Sequence, residues 1–245
     1  MKIGSLFKAA VGDAILTSMF VFIGPIMRVF TSIIASFLGF QARSLVGRFI
    51  TTIHATVLVL IFSTIGKLLG GASFNPSTTV SLYAAGLNPG TSLISMAVQF
   101  PAQAAGGAGG AKAILQVMPK KYEHFVKGPS LKVDVKSGAI AEGLFTFSLC
   151  FSLLWVMLRG PKNLFLQIWL VKVATVGLAI VGSGYTGPSM NPANAFGWAY
   201  VDNWHNTWEL FFVYWVGPLI GAALAAWVFK ILFPPPETKT KEKKA

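Results

Sequence analysis

The sequence predicts an all-α membrane protein with six transmembrane helices plus two re-entrant half-helices, arranged as an inverted 3+3 repeat. Three observations predict it. Of the 245 residues, 54% are hydrophobic and only 11% are charged, about half the charge of an ordinary soluble domain, and the mean hydropathy is +0.64. Six stretches nearly free of charge recur along the chain, each near the ~20 residues that cross ~30 Å of hydrocarbon. Finally, two short segments built around an Asn-Pro pair interrupt this apolar text at corresponding places.

The six expected spans are residues 9–30, 49–65, 91–115, 137–158, 164–181 and 208–233. The first ends in Gly24-Pro25-Ile26-Met27-Arg28, without the small-residue pattern of a cleaved signal, and so is expected to remain a span. Residues 1–8 form a short N-terminus, 9–233 a membrane-spanning domain with repeats at about 9–115 and 137–233, and 234–245 a basic, proline-led tail expected to be disordered.

The repeat is visible in paired stretches. "GDAILTSMF" sets Asp13 against Glu142 of "AEGLFTFSL" and Thr17 against Thr146, while "SFNPSTTVSLYAAG" sets Asn75-Pro76 against Asn191-Pro192 of "SMNPANAFGWAYV". Halves of three spans each must be inverted across the bilayer relative to one another. Each Asn-Pro segment follows a spanning helix after a Gly-rich turn, Gly70-Gly71 or Gly182-Ser183-Gly184, and leaves too few residues to cross again. Broken backbone at membrane depth survives only where protein or a water-filled cavity covers it. Proline suits the first helical turn and Asn the position before it, so each pair marks a helix start with its positive dipole end near the midplane.

At these residues the chain resembles the aquaporin (major intrinsic protein) family, whose members carry two Asn-Pro-Ala motifs on half-helices. "AQAAGGAGGA" in the third span and "YWVGPLIGAALAA" in the sixth extend the resemblance over nearly the whole chain. Within the family it looks most like the small basic intrinsic proteins of plants, with a short N-terminus, a basic balance and a first motif that departs from Asn-Pro-Ala. The resemblance implies that the pore motifs are Asn75, Pro76 and Ser77 with Asn191, Pro192 and Ala193, and that the two asparagines donate N–H groups to a central water. Ser77 has two readings, pore lining or packing at the helix start. The resemblance also makes Asp13 and Glu142 loop supports, with Asp13 one methylene shorter than the usual Glu.

The outer constriction departs most from the family. The position after the second motif, an arginine in most aquaporins, is Asn194, and the filter position three before Asn191 is Pro188. Counting back from the motifs places the other filter positions near Ala55 and Val57 on the second span and Val176 and Ala179 on the fifth. His54 either lines the pore or packs on a neighbouring helix, and Lys172 either snorkels to a polar contact or serves transport.

Lys and Arg outnumber Asp and Glu by 20 to 8. They lie in loops and tail rather than on one face of a soluble domain, so no nucleic-acid partner is expected. They are nearly balanced between the two sides, so the expectation that both termini are cytosolic comes from the resemblance. Lys241 and Lys243 resemble a dilysine retrieval signal, with a solvated charge run as the other reading, and the resemblance to the plant branch implies the endoplasmic reticulum membrane. Cys150 is the sole cysteine and reads as apolar filler. With no nucleophile–base pair or metal-ligand cluster in the pattern, no catalytic residue, metal or cofactor is expected. The resemblance implies passive passage of water and possible other small neutral solutes, by a homotetramer in the bilayer. A poorly conducting scaffold of the endoplasmic reticulum is the alternative, and a coupled transporter lacks the paired acidic residues it would need.

Overall fold

The computed structural model describes residues 3–234, so the dilysine positions Lys241 and Lys243 lie outside the described residues. The elements in order are α1 (Ile3–Phe37), α2 (Leu45–Leu68), α3 (Pro76–Ala85), α4 (Leu93–Val117), α5 (Val135–Arg159), α6 (Leu164–Val181), α7 (Pro192–Val201), α8 (Trp208–Phe211) and α9 (Gly217–Leu232). A π-helical turn, Phe212–Val216, joins α8 to α9, so the two form one long helix. The described residues contain no strand.

Five of these helices are long and apolar enough to cross a membrane. The sixth long helix, α4, has 25 residues, and Gln99, Gln103, Lys112 and Gln116 and a run of Gly and Ala break up its apolar text. Those small residues are buried between α1 and α7, where backbones approach closely. The first helix is longer than its expected 9–30: at 35 residues and 1.5 Å per residue it runs about 50 Å. The apolar text of residues 31–37 continues the helix, and it stops just before Gly39, whose φ of 77° is left-handed.

The two halves repeat their packing. In the first, α1 lies along α4, with Gly106 and Gly110 against the carbonyls of Ala14 and Ser18. In the second, α5 lies along α9, with Gly217 and Gly221 against the carbonyls of Ala139 and Gly143. In both pairs a step of four residues on one helix matches a step of four on the other, so the helices of each pair run parallel. The short helices α3 and α7 pack on α9 and α4 respectively, each on a long helix of the other repeat. The start of α1 and the end of α9 lie on one side, here the terminal face; the α4–α5 connection lies on the far face.

The first Gly-rich turn is as the sequence suggests, with Gly70 and Gly71 at φ 80° and 90°. The second differs. Gly182–Gly184 forms a 3-10 turn, and the left-handed positions come later, at Gly187 (φ 55°) and at Met190 (φ 50°), a buried non-glycine residue directly before Asn191.

Candidate functional site

Both half-helices start on an Asn-Pro pair for the reason the sequence suggests. Asn75 is extended (φ −142°) and its Oδ1 accepts from the Ser77 N–H at 2.9 Å, with Pro76 in the first turn. Asn191 (φ −147°) accepts from the N–H groups of Ala193 at 3.1 Å and Asn194 at 3.3 Å, with Pro192 in the first turn. The amide nitrogens cross over. Asn75 Nδ2 donates to the Met190 carbonyl at 3.0 Å, and Asn191 Nδ2 donates to the Phe74 carbonyl at 2.9 Å. Two helix N-termini are thereby held end to end, and the positive ends of two dipoles converge on the junction.

Each loop before a half-helix is held by a buried carboxylate of its own half. Glu142 accepts from Thr186 Oγ1 and the Ser189 N–H, both at 2.9 Å, through Oε1, and from the Met190 N–H at 3.0 Å through Oε2. Tyr214 Oη donates to the Thr186 carbonyl at 3.0 Å. Asp13, though shorter, reaches the Ser73 N–H at 2.9 Å, and its other oxygen accepts from Gln103 Nε2 at 2.7 Å. Gln103 also donates to Ser73 Oγ at 2.8 Å, so α4 supplies a polar group that the second half does not need. The left-handed backbone of Met190 turns its N–H to Glu142 and its carbonyl to Asn75, which is why strain is tolerated there.

A cavity lies on each side of the junction. The terminal-face cavity, about 310 Å³, is lined by Asn75, Phe74 and Thr78 together with Val59 and Ser63 of α2, residues of α5, and Gln167, Val171 and Lys172 of α6. The far-face cavity, about 190 Å³, is lined by Pro188, Ser189, Asn194, Trp198, Arg28 and the loop 127–129. Larger apolar hollows, such as the one between Phe100, Phe196 and Trp215, lie on outward helix faces away from the asparagines.

Pro188 and Asn194 line one mouth together, and Ala55, Val57, Val176 and Ala179 are not among the residues lining it. The terminal-face cavity takes Val59 and Ser63 from α2, and residues between Leu164 and Lys172 from α6. Ser77 is fully buried, and its hydroxyl has no partner among the described residues. Of its two readings, the geometry is that of helix-start packing. His54 packs on α1, with Nδ1 3.0 Å from Thr31 Oγ1. Lys172 lines the terminal-face cavity, as Asn75 does. Cys150 is buried among Ala222 and Ala225.

Several site residues carried no sequence signal. Gln103 is the exception that could have been found, as an amide in the middle of a Gly/Ala-rich span. Met190 and Arg28 could not, because only the folded loops show where they face. Among the described residues no group of His, Cys, Asp and Glu is arranged to hold a metal.

The chain matches the family described as Major intrinsic protein over residues 1–229. It is 48% identical to the protein named aquaporin SIP1-1 of Zea mays over 248 residues, covering 100% of both chains. It is 45% identical over 241 residues to aquaporin SIP1-1 of Arabidopsis thaliana, covering 98% of this chain and 99% of that one. In fold it is similar to the aquaglyceroporin from Plasmodium falciparum, with a TM-score of 0.67 and 17% identity over 94% of this chain and 98% of that one. A match along nearly the whole length, with two inverted half-helices meeting at Asn75 and Asn191, places this multi-pass membrane channel in the major intrinsic protein (aquaporin) family, among the plant small basic intrinsic proteins.

Proposed function

We propose that the chain is a passive channel for water, with other small neutral solutes as a second class, along a path from one cavity to the other past Asn75 and Asn191. The observation that carries this reading is the crossed bonding of the two amides. Each amide NH2 has two donors; one is committed to the opposite loop, and the second is left for a passing water oxygen. A water oriented by donors at the meeting point of two positive helix ends is poorly placed to hand on a proton, and cations meet a barrier there. The relatives' printed names, aquaporins, support water as the solute.

Swelling of vesicles holding the purified protein, followed by light scattering, tests the reading. The expected rate exceeds that of empty vesicles, and an equal rate overturns the proposal. The same reading includes a homotetramer of separate pores, checked by cross-linking in membranes. It also includes residence in the endoplasmic reticulum with both termini cytosolic, checked by relocation of a Lys241→Ala/Lys243→Ala variant.

A further inference from the structure

The far-face mouth contains charge that the second motif does not supply. Asn194 is neutral, and its amide is turned inward: Nδ2 donates to Ser189 Oγ at 3.1 Å and its N–H to Asn191 Oδ1. Ser189 Oγ in turn donates to the Asn191 carbonyl at 2.8 Å. These bonds of Asn194 and Ser189 hold the half-helix start. The cation of this mouth comes instead from the first helix. Arg28, three residues after Pro25, lines the same cavity as Pro188 and Asn194, and its Nη1 donates to the Lys127 carbonyl at 3.0 Å.

That bond fixes the guanidinium against the loop 127–129, while the fork keeps further N–H donors for the cavity. Arginine stays charged at every physiological pH, and weak hydration suits it to partly buried sites. None of the residues lining the mouth is acidic; the other ionisable one, Lys127, is exposed and shared with a neighbouring surface hollow. A single-sign charge in a cavity with low-dielectric walls focuses its field over the whole opening. The N-terminus of α7 lies on the same path and adds to it.

We propose that Arg28 is the specificity-determining charge of the far-face mouth: it repels cations there, before they reach Asn191, and passes neutral solutes. This rests on the reading of the chain as a channel. The first test does not depend on conduction. An Asn194→Cys thiol in a Cys150→Ala background is labelled with sulfonatoethyl (negative) and trimethylammonioethyl (positive) methanethiosulfonates. The ratio of the two rates, normalised to a free thiol, favours the negative reagent. Arg28→Gln, which can keep a donor to the Lys127 carbonyl but loses the charge, lowers that ratio roughly tenfold, whereas Arg28→Lys holds it near the parent value and Lys127→Ala changes it less than Arg28→Gln does. A ratio unchanged in Arg28→Gln, or one that follows Lys127 instead, overturns the proposal.

The second test uses vesicles and compares entry of methylammonium with entry of urea. Arg28→Gln raises the methylammonium-to-urea ratio about tenfold by the same electrostatic argument, and a ratio unmoved in a channel that still passes water overturns the proposal. Wild-type vesicles that swell no faster than empty ones sink the channel reading itself, while the labelling ratio still decides whether Arg28 sets the field in the mouth.

Discussion

Asn75 and Asn191 each hold the other's loop: the amide of the first is bonded to the carbonyl of Met190, and the amide of the second to the carbonyl of Phe74. Each also caps its own helix through Oδ1. One side chain therefore does two jobs with its two ends, and no other side chain of this size offers both an acceptor and a pair of donors in this geometry. The two repeats are joined at the centre through these bonds, so the junction is a structural joint as well as a point on the proposed path.

Asn191→Asp separates the two jobs. Aspartate caps as well as asparagine and gains ~0.3–1 kcal/mol from the helix dipole. It leaves the Phe74 carbonyl without its donor and sets an anionic oxygen against it, which costs ~1–3 kcal/mol. The loss is the larger effect, so thermal unfolding in detergent shifts down by a few degrees, and vesicles holding the variant leak cations. A variant that melts at or above the wild-type temperature contradicts the crossed bonding.

Gln103→Leu removes the donor shared by Asp13 Oδ2 and Ser73 Oγ. A buried carboxylate left short of a partner costs ~1–3 kcal/mol or more. Adding Asp13→Asn removes the charge that needs the donor, so the double variant loses less than the sum of the singles. Additive losses within ~0.5 kcal/mol, measured by denaturation, would show that the two side chains act independently.

What could be read from the chain follows the range of the interactions. The start of a half-helix is local chemistry, Asn then Pro after a Gly-rich turn, and Asn75 and Asn191 are where the sequence puts them. The carboxylates at Asp13 and Glu142 stand out because charge in an apolar span demands partners, whereas the support that the Gln103 amide gives Asp13 shows only in the fold. The mouth was legible only at Pro188 and Asn194. Which face of α1 carries Arg28, and which turn of α2 or α6 borders a cavity, depends on helix register and rotation fixed by contacts between distant elements. The span count was legible in length, but α4 is interrupted by Gln99, Gln103, Lys112 and Gln116, and its buried glycines serve close packing rather than lipid contact.

Asp134 gives a pH dependence outside the membrane. It caps α5, and hydrogen bonds from Ser137, first from the side chain and then from the backbone N–H at 3.0 Å, hold its carboxyl below the usual carboxylate range. A pKa depressed by folding contributes stability that is present above the unfolded value, near 3.9, and is lost as pH falls through the folded value. The melting difference between wild type and Asp134→Ala is therefore constant at neutral pH and closes below roughly pH 4. Asp134→Asn, which caps without titrating, shows no such closing. A difference that widens in acid contradicts the assignment.

The parallel helix pairs make the sharpest packing prediction. On Gly106 a Cβ would overlap the Ala14 carbonyl, and on Gly221 the Gly143 carbonyl. Backbone cannot move aside as a flexible side chain does, so alanine at either position has to push two helices apart along their length. Overpacking of this kind costs typically ~1–3 kcal/mol, and alanine's better helix propensity returns only ~1 kcal/mol. Gly177 of α6 is the control, because a Cβ there meets nothing within 4 Å. Gly177→Ala is thus neutral or slightly stabilising in detergent melts, while Gly106→Ala and Gly221→Ala each melt earlier. Because α4 also carries α7, with Gly107 against Ala193 and Gly197, the Gly106 variant is expected to disturb the half-helix start and lower the swelling rate as well. If all three variants melt together, helix propensity rather than close approach explains these glycines.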